Sequence, residues 1–473
     1  MNREFIRRCF KGRGYDFCSV TILLLFFILL FRIRSSLPVM QDSWYHLDVV
    51  RAFFERGPTL HAWWEFAPFG RPHLYSPLFH LAGVAILHVT GLNLVDLARL
   101  YDVVTFPLVL LAGWLTARLL FGMRAAFVTL LLLSLNIALL FPCSLIMMPG
   151  TYAMLLWPLV HVLVLRKKMA WAVFLLSVTC YLHFGIAGVA AFSLFLLALF
   201  RRDYWKTVLL VVVSTCVVFS PWLVHLYRHR EFLHSGVSHL PVFIPVFTVL
   251  AALLGIVSVI KCPEKESLAV LSTIIASAFF FFTLRDRFWI YGGFSFALLG
   301  GYGIERCAKE QIRWVILILF ISCVSVTPFL KPSQTKVGLP LPFQGVPWLM
   351  ATPGLTLAEW QKADKAAEIP PAVPDDIAAL AHWIKGSVEM DDILLANDPQ
   401  LGGYLFALTG RRTTSGLWSE VYTDELKEKL AGYLRTGKGY FILRGDDAEA
   451  ARLLGTATSV TAFGRFGVFY RPS

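Results

Sequence analysis

The chain has 473 residues, of which 57% are hydrophobic and 14% aromatic, with a formal net charge of +12 and a mean hydropathy of +0.65. This composition is too apolar for a soluble globular protein and predicts a chain that crosses the bilayer many times. The positive charge favours basic cytoplasmic loops over a nucleic-acid surface, because Lys and Arg accumulate on the inner connections of membrane proteins.

The first apolar run, residues 17–33, follows a basic N-terminal segment. No small-residue cleavage site follows it, so we expect a retained membrane span and not a removed signal peptide. The eight cysteines show no metal-ligand spacing, and none lies beyond Cys323. The sequence therefore predicts no disulfide framework.

Apolar stretches of about 16 to 23 residues predict eleven transmembrane helices. They lie near residues 17–33, 98–118, 125–141, 150–165, 169–183, 184–200, 206–226, 241–260, 267–284, 288–304 and 313–330. With a cytoplasmic N-terminus, every inner connection carries at least two basic residues, in agreement with the positive-inside rule. The apolar stretch 77–90 would break this pattern as a span, so we assign it to the outer surface, within a first outer loop of residues 34–97.

The membrane domain is thus expected to occupy residues 1–330, followed by a Pro-rich outer connector at 331–374. Residues 375–473 alternate helix-like and strand-like segments and end in a hairpin pattern, which predicts a small extracytoplasmic α/β domain. This region has no glycine-rich phosphate fingerprint. We therefore expect a support or acceptor-recognition domain and no nucleotide cofactor.

Titratable residues gather directly after the first span, in "MQDSWYHLDVV". Asp42 and His46 have the i, i+4 spacing of one helix face, and Asp48 follows two residues later. Asp42 as a simple helix N-cap is an alternative. A functional site is favoured by position, because His73, Tyr75 and other polar residues of the same loop lie near the bilayer, where charge is costly.

A second cluster, Arg285, Asp286 and Arg287, forms a short predicted outer turn. These arginines suit a phosphate group, although snorkelling to lipid headgroups is an equal alternative. Asp102 is a reserve candidate, but Arg99 one turn earlier favours an internal ion pair.

Three histidines of later segments complete the candidates. His183, at the outer end of a span, either lines the site or is a satisfied core histidine. His225 and His229 have the spacing of two zinc ligands, but no third ligand is fixed by spacing, so packing at the interface is favoured.

Three segments, "DSWYHLDVVRAFFERG", "LYSPLFHLAGVAILHVTGLNLVDLARL" and "DRFWIYGGFSFALLGGYG", resemble the C-type superfamily of polytopic glycosyltransferases, which use polyprenyl-linked sugar donors, and within it the oligosaccharyltransferase catalytic subunits. The resemblance implies that Asp42 is the catalytic aspartate, which binds a divalent metal in oligosaccharyltransferases. It also implies that Arg287, helped by Arg285, contacts the donor phosphate. His46 and Asp48 would orient the first loop.

The sequence departs from the oligosaccharyltransferases at two motifs. The segment "FPCSLIMMPGTYAM" has no carboxylate between Phe141 and Met154, where their second acidic motif lies, so a Mg²⁺ or Mn²⁺ ion on Asp42 is an open question. In the C-terminal region "NDPQL" replaces part of their sequon-reading segment. Sequon-specific glycosylation is therefore not expected.

These observations predict a glycosyltransferase of the plasma membrane that takes a sugar or glycan from a dolichyl or undecaprenyl phosphate or diphosphate. The acceptor, a protein, lipid or glycan, would lie on the outer face, and no nucleic acid is involved. A lipid or sugar transporter or flippase is the alternative, because transporters also place charges in membrane cavities. A non-catalytic scaffold is the third hypothesis.

Overall fold

A computed structural model of the protein describes residues 3–33, 41–136, 139, 143, 147–233, 243–281, 288–306, 348–350, 375–396, 399–416, 423–444 and 457–472. This part of the chain is mostly helical. Its α-helices are α1 Arg3–Ile33, α2 Gln41–Arg56, α3 Leu78–Thr90, α4 Leu94–Phe121, α5 Met123–Ser134, α6 Pro149–Leu165, α7 Met169–Leu182, α8 Phe184–Phe200, α9 Trp205–Arg228, α10 Val246–Lys261, α11 Lys265–Phe281, α12 Phe288–Arg306, α13 Asp375–Ser387, α14 Pro399–Thr409 and α15 Asp424–Thr436.

The described strands form three sheets, two of them small antiparallel pairs. The strands are β1 His61–Ala62, β2 Arg71–Pro72, β3 Phe243–Pro245, β4 Trp348–Met350, β5 Ile393–Ala396, β6 Arg412–Thr413, β7 Gly439–Arg444, β8 Thr458–Phe463 and β9 Phe466–Arg471. Strands β1 and β2 pair within the predicted first outer loop, and β3 pairs with β4. The remaining five strands form one C-terminal sheet.

A helix occupies each of the first ten apolar stretches predicted as spans, whereas 313–330 lies outside the described residues. Within the described residues, three segments are long and apolar enough to cross a membrane, namely Gly14–Arg32, Leu94–Phe121 and Arg202–Arg228. Further apolar helices are shorter. The number of spans and the sidedness of the termini stay predictions.

Helix α12 packs closely against α10 and α5 because glycines remove side chains from the contact. A Cβ on Gly255 of α10 would overlap Leu299 of α12, and one on Gly303 would overlap the backbone of Gly255. A Cβ on Gly301 would lie 2.7 Å from the carbonyl oxygen of Ala125 in α5. Small residues allow this backbone approach between helices in a membrane, and here they fix the position of α12.

Helix α3 covers the apolar stretch that we assigned to the outer surface. Its 13 residues extend about 20 Å, which is less than the hydrocarbon core of about 30 Å. The helix buries Phe79, His80 and Leu87 and packs mainly on α2. The location of this stretch on the outer surface stays a prediction.

The C-terminal sheet has the strand order β6-β5-β7-β9-β8, with β5 parallel to both of its neighbours. Residues of α13 and α14, including Leu380 and Leu405, cover one face through a shared apolar core. On the other face Leu395 and Phe441 pack with Leu434 of α15. The described residues 375–472 thus form an α/β sandwich, and α14 is a helix that the sequence analysis did not predict.

The C-terminal sandwich is attached to the first outer loop by backbone hydrogen bonds. The amide of Thr413 donates to the carbonyl of Trp64 at 3.0 Å, and the amide of Ala67 donates to the carbonyl of Thr413 at 2.9 Å. The loop therefore continues the sheet beyond its edge strand β6. Beside this bridge, Phe406 of α14 stacks on the buried ring of Trp64, with the centroids 6.1 Å apart.

We predict that Phe406→Ala loosens this attachment. Phe406 is 1% exposed, and truncating such a core aromatic to alanine costs about 3–5 kcal/mol of unfolding free energy. The control is Phe69→Ala, because the Phe69 ring is 40% exposed. Thermal unfolding of the detergent-solubilised full chain should show a clearly lower midpoint for the Phe406 variant alone. Equal midpoints for the two variants would contradict the packing described here.

Candidate active site

Asp42 lies in the first turn of α2, and its side chain is exposed. The helix begins one residue earlier, at Gln41, so Asp42 is part of the first turn and does not precede it. A carboxylate in this position is stabilised by the partial positive charge of the helix N-terminus. An anchored and accessible carboxylate of this kind can act on a bound substrate.

The start of α2 is held by the neighbouring buried residue, Ser43. Its Oγ accepts a hydrogen bond of 2.8 Å from the amide of Met147, two residues before α6 begins. The first turns of α12 approach the other end of the same connection, because a Cβ on Gly293 would lie 2.8 Å from Asn136 Nδ2. The start of α2 thus contacts Met147 and the start of α12 contacts Asn136, two described residues of the connection between α5 and α6.

The predicted donor-binding residues, Arg285 and Arg287, lie outside the described residues. Gly293 of α12 lies six residues after Arg287 in the chain. Its contact with Asn136 places the beginning of α12 beside the connection that Ser43 also contacts. The role of the two arginines stays a prediction.

His46, one turn after Asp42, is buried and pairs with a histidine that the sequence analysis missed. His46 Nδ1 lies 3.0 Å from His80 Nε2 of α3, which is a hydrogen bond between two imidazoles. Burial lowers the pKa of His80 to about 3, so the His80 ring is neutral at physiological pH. The pair ties α2 to α3 and fixes the ring of His46 below Asp42.

The reserve candidates His73, Tyr75 and His183 lie around this histidine pair. The ring centroid of Tyr75 is 4.9 Å from that of His46 and 5.8 Å from that of His183. His73 is fully buried, its ring centroid is 5.9 Å from that of His80, and burial is the main cause that lowers its pKa well below the usual value. Four of the predicted site residues therefore form one aromatic cluster with His80.

His183 and Asp102 each have a partner that the sequence alternatives anticipated. His183 Nδ1 accepts a hydrogen bond of 3.3 Å from the amide of Ile186 and caps the start of α8. Arg99 Nη1 lies 3.3 Å from Asp102 Oδ2, which is the predicted ion pair one turn apart on α4. Asp102 is buried on α4 and is not part of the aromatic cluster.

A buried ion pair, also missed from the sequence, crosses the first outer loop. Arg71 Nη2 lies 2.7 Å from Glu65 Oε1, with side-chain exposures of 0% and 5%. Gly416 of the C-terminal sandwich lies against this pair, because a Cβ there would be 2.5 Å from Glu65 Oε2. Burial raises the pKa of Glu65, and the guanidinium of Arg71 opposes the shift.

The side chain of Asp48 is buried against the C-terminal sandwich, whereas that of Asp42 is exposed. It is 4% exposed, and its Oδ1 has no hydrogen-bond partner among the described residues. Burial, with a smaller contribution from the charge of Glu65, raises the pKa of Asp48 well above its usual range. Asp48 therefore sits at the contact between α2 and α14, next to the backbone of Ala407.

No group of three or more His, Cys, Asp or Glu side chains in the described ranges is arranged to hold a metal ion. His225, one of the two residues with zinc-like spacing, uses Nε2 to donate to the carbonyl of His73 at 2.9 Å. The described residues thus do not fit a metal centre. A cation bound by Asp42 stays a prediction from the resemblance.

We predict that the buried acid Asp48 makes stability depend on pH. Since the folded-state pKa of Asp48 is raised, the contribution of Asp48 to stability is most favourable below its usual pKa of 3.8 and becomes less favourable as the pH rises above that value. Asp48→Asn should remove the penalty and raise stability at pH 8 by at least about 1 kcal/mol. The exposed Asp391→Asn is the matched control.

The measurement is the thermal midpoint of wild type and both variants at several pH values from 5 to 8. The wild type and the Asp391 variant should lose stability along the series, whereas the Asp48 variant should lose less. Parallel curves of thermal midpoint against pH for all three proteins would show that burial does not raise the pKa of Asp48.

No protein-family model and no curated protein sequence matches the chain. Solved structures of polytopic glycosyltransferases match its fold over nearly the whole length. ArnT from Cupriavidus metallidurans bound to undecaprenyl phosphate matches with a TM-score of 0.61 at 14% identity, covering 98% of this chain and 100% of ArnT.

Two further structures share the fold. The oligosaccharyltransferase AglB from Archaeoglobus fulgidus, in complex with an inhibitory peptide and a dolichol-phosphate, matches with a TM-score of 0.59 at 10% identity, covering 92% of this chain and 70% of AglB. Arabinofuranosyltransferase AftD from Mycobacteria matches with a TM-score of 0.58 at 12% identity, covering 97% of this chain and 41% of AftD. The chain therefore has the fold of the C-type membrane glycosyltransferases.

Proposed function

We propose that the protein is a membrane glycosyltransferase that transfers a sugar or glycan from a polyprenyl phosphate or diphosphate to an acceptor on the outer face of the membrane. The observation that carries the proposal is the exposed position of Asp42 at the start of α2, which Ser43 anchors to Met147. The start of α12 contacts the same connection between α5 and α6, at Asn136. The structural neighbours that bind polyprenyl phosphates support this choice of donor.

In the proposed reaction Asp42 acts as the general base. The carboxylate takes the proton of an acceptor hydroxyl while the acceptor oxygen forms a bond to the anomeric carbon of the sugar. The bond from that carbon to the phosphate oxygen breaks, and the electron pair leaves with the lipid phosphate. Because a phosphate is a weak base, no second carboxylate is required to protonate the leaving group, unlike in glycoside hydrolysis.

The negative charge of the leaving phosphate is stabilised by nearby positive charge and does not have to be neutralised by a proton. In our proposal Arg287, with Arg285, supplies that charge, because an arginine fork matches the oxygens of a phosphate. His46, held by His80, keeps the turn below Asp42 in one orientation. His46 is therefore a positioning residue in this mechanism. No step requires a metal ion.

The test compares transfer of radiolabelled sugar from a polyprenyl-linked donor pool to endogenous acceptors in membranes. Asp42→Asn should lower the rate by at least about 10²-fold, because it removes the base and keeps the shape. Asp96→Asn is the matched control, since Asp96 also lies in the first turn of a helix in the same predicted loop. Unchanged transfer by a folded Asp42 variant would reject the enzyme hypothesis in favour of transport or scaffolding.

A separate variant distinguishes binding from chemistry. Arg287→Ala should weaken donor affinity by about tenfold or more, and Arg287→Lys should recover part of it, because lysine keeps the charge but loses the fork. Asp42→Asn should leave donor affinity nearly unchanged. The measurement is equilibrium binding of the labelled donor to the purified protein, and an unaffected affinity in the alanine variant would exclude Arg287 from the donor site.

A further inference from the structure

A cleft lies between the first outer loop and the last turns of α9, and Asp42 is not among the residues that line it. Its volume is about 420 Å³, and the lining includes His61, Pro72, Val224, His225, Arg228 and His229. One lining residue, His225, donates through Nε2 to the carbonyl of His73 at 2.9 Å. This hydrogen bond ties the end of α9 to the segment that follows β2.

The charges of the cleft are suited to an anion. Arg228 is exposed and makes no ion pair within the part of the chain that the structure describes. His61 and His229 also line the cleft, and Glu231 is the carboxylate near them, with Oε1 3.9 Å from His229 Nδ1. The carbonyls at the end of α9 contribute about half a negative charge, which the guanidinium exceeds.

The surface below Arg228 indicates where such an anion comes from. Leu210, Val213, Val217 and Val224 are 49%, 51%, 68% and 49% exposed, respectively. Their spacing of three, four and seven residues places them on one face of α9, and Arg228 continues that face one turn beyond Val224. The stripe is an exposed apolar surface on a candidate membrane span, and an arginine lies at its end. An acyl chain can pack along such a surface while the phosphate at its head contacts the arginine.

We propose that this cleft binds the phosphate group of a membrane lipid, with the lipid's acyl chain along the apolar stripe of α9. Arg228 makes the principal contact, and His61 and His229 complete the polar lining. The lining of this cleft shares no residue with the proposed donor site, so lipid binding can be tested without an assay of sugar transfer.

The experiment measures binding of short-chain lipids to the full-length protein in neutral detergent by titration calorimetry. Dioctanoyl phosphatidic acid is the probe, and dioctanoyl phosphatidylcholine and inorganic phosphate are the comparison ligands. Phosphatidic acid should bind more tightly than both, because it alone combines an accessible phosphomonoester with acyl chains. Arg228→Gln should weaken its binding about tenfold, as expected for the loss of a charge-assisted contact.

Arg230→Gln is the matched control, because Arg230 lies two residues away but stacks on Tyr227 and does not line the cleft. It should bind phosphatidic acid as the wild type does. Equal weakening by both variants would overturn the proposal in favour of general surface charge. Inorganic phosphate binding as tightly as phosphatidic acid would overturn the lipid assignment. No preference over phosphatidylcholine, whose phosphate is capped by choline, would overturn the recognition of an anionic, accessible phosphate. Unchanged thermal midpoints establish that both variants are folded.

Discussion

The candidate active site depends on the backbone bridge between the first outer loop and the edge of the C-terminal sheet. Thr413 both donates to Trp64 and accepts from Ala67, so the loop is held as an additional partner of strand β6. An unpaired sheet edge exposes backbone groups that need partners, and the loop supplies them. Since the same loop continues into α3, the bridge couples the C-terminal sandwich to the helix that carries His80.

This attachment explains why charged groups are tolerated inside the loop. Glu65 and Arg71 neutralise one another beneath Gly416, and a glycine there leaves room for the carboxylate. A buried ion pair contributes little net stability, but removing one partner leaves a buried charge and is costly. The pair therefore favours one arrangement of the loop over others, and that arrangement includes the contact between α2 and α14.

The sequence predicted where helices lie in the apolar part of the chain, because long apolar runs have few alternatives to a helix in a bilayer. Spacing also anticipated local contacts, such as the ion pair of Arg99 and Asp102 on one helix. It did not predict His80 as the partner of His46, since those residues are 34 positions apart and meet only through the packing of α3 on α2. Helix α14 was missed for a related reason, because tertiary packing overrides the weak helix propensity of its two glycines.

The same limit applies to the charged residues of α2. The i, i+4 spacing put Asp42 and His46 on one face, but it gave no indication that Asp48 would turn towards α14. Along one helix the three residues differ in environment: Asp42 is exposed, His46 is paired in an aromatic cluster, and Asp48 is buried at the contact with the sandwich. An ionised base requires the solvated position, because burial favours the neutral acid. Among the acids of α2, Asp42 therefore has the environment that suits proton abstraction, and Asp48 the one that suits holding the helix in place.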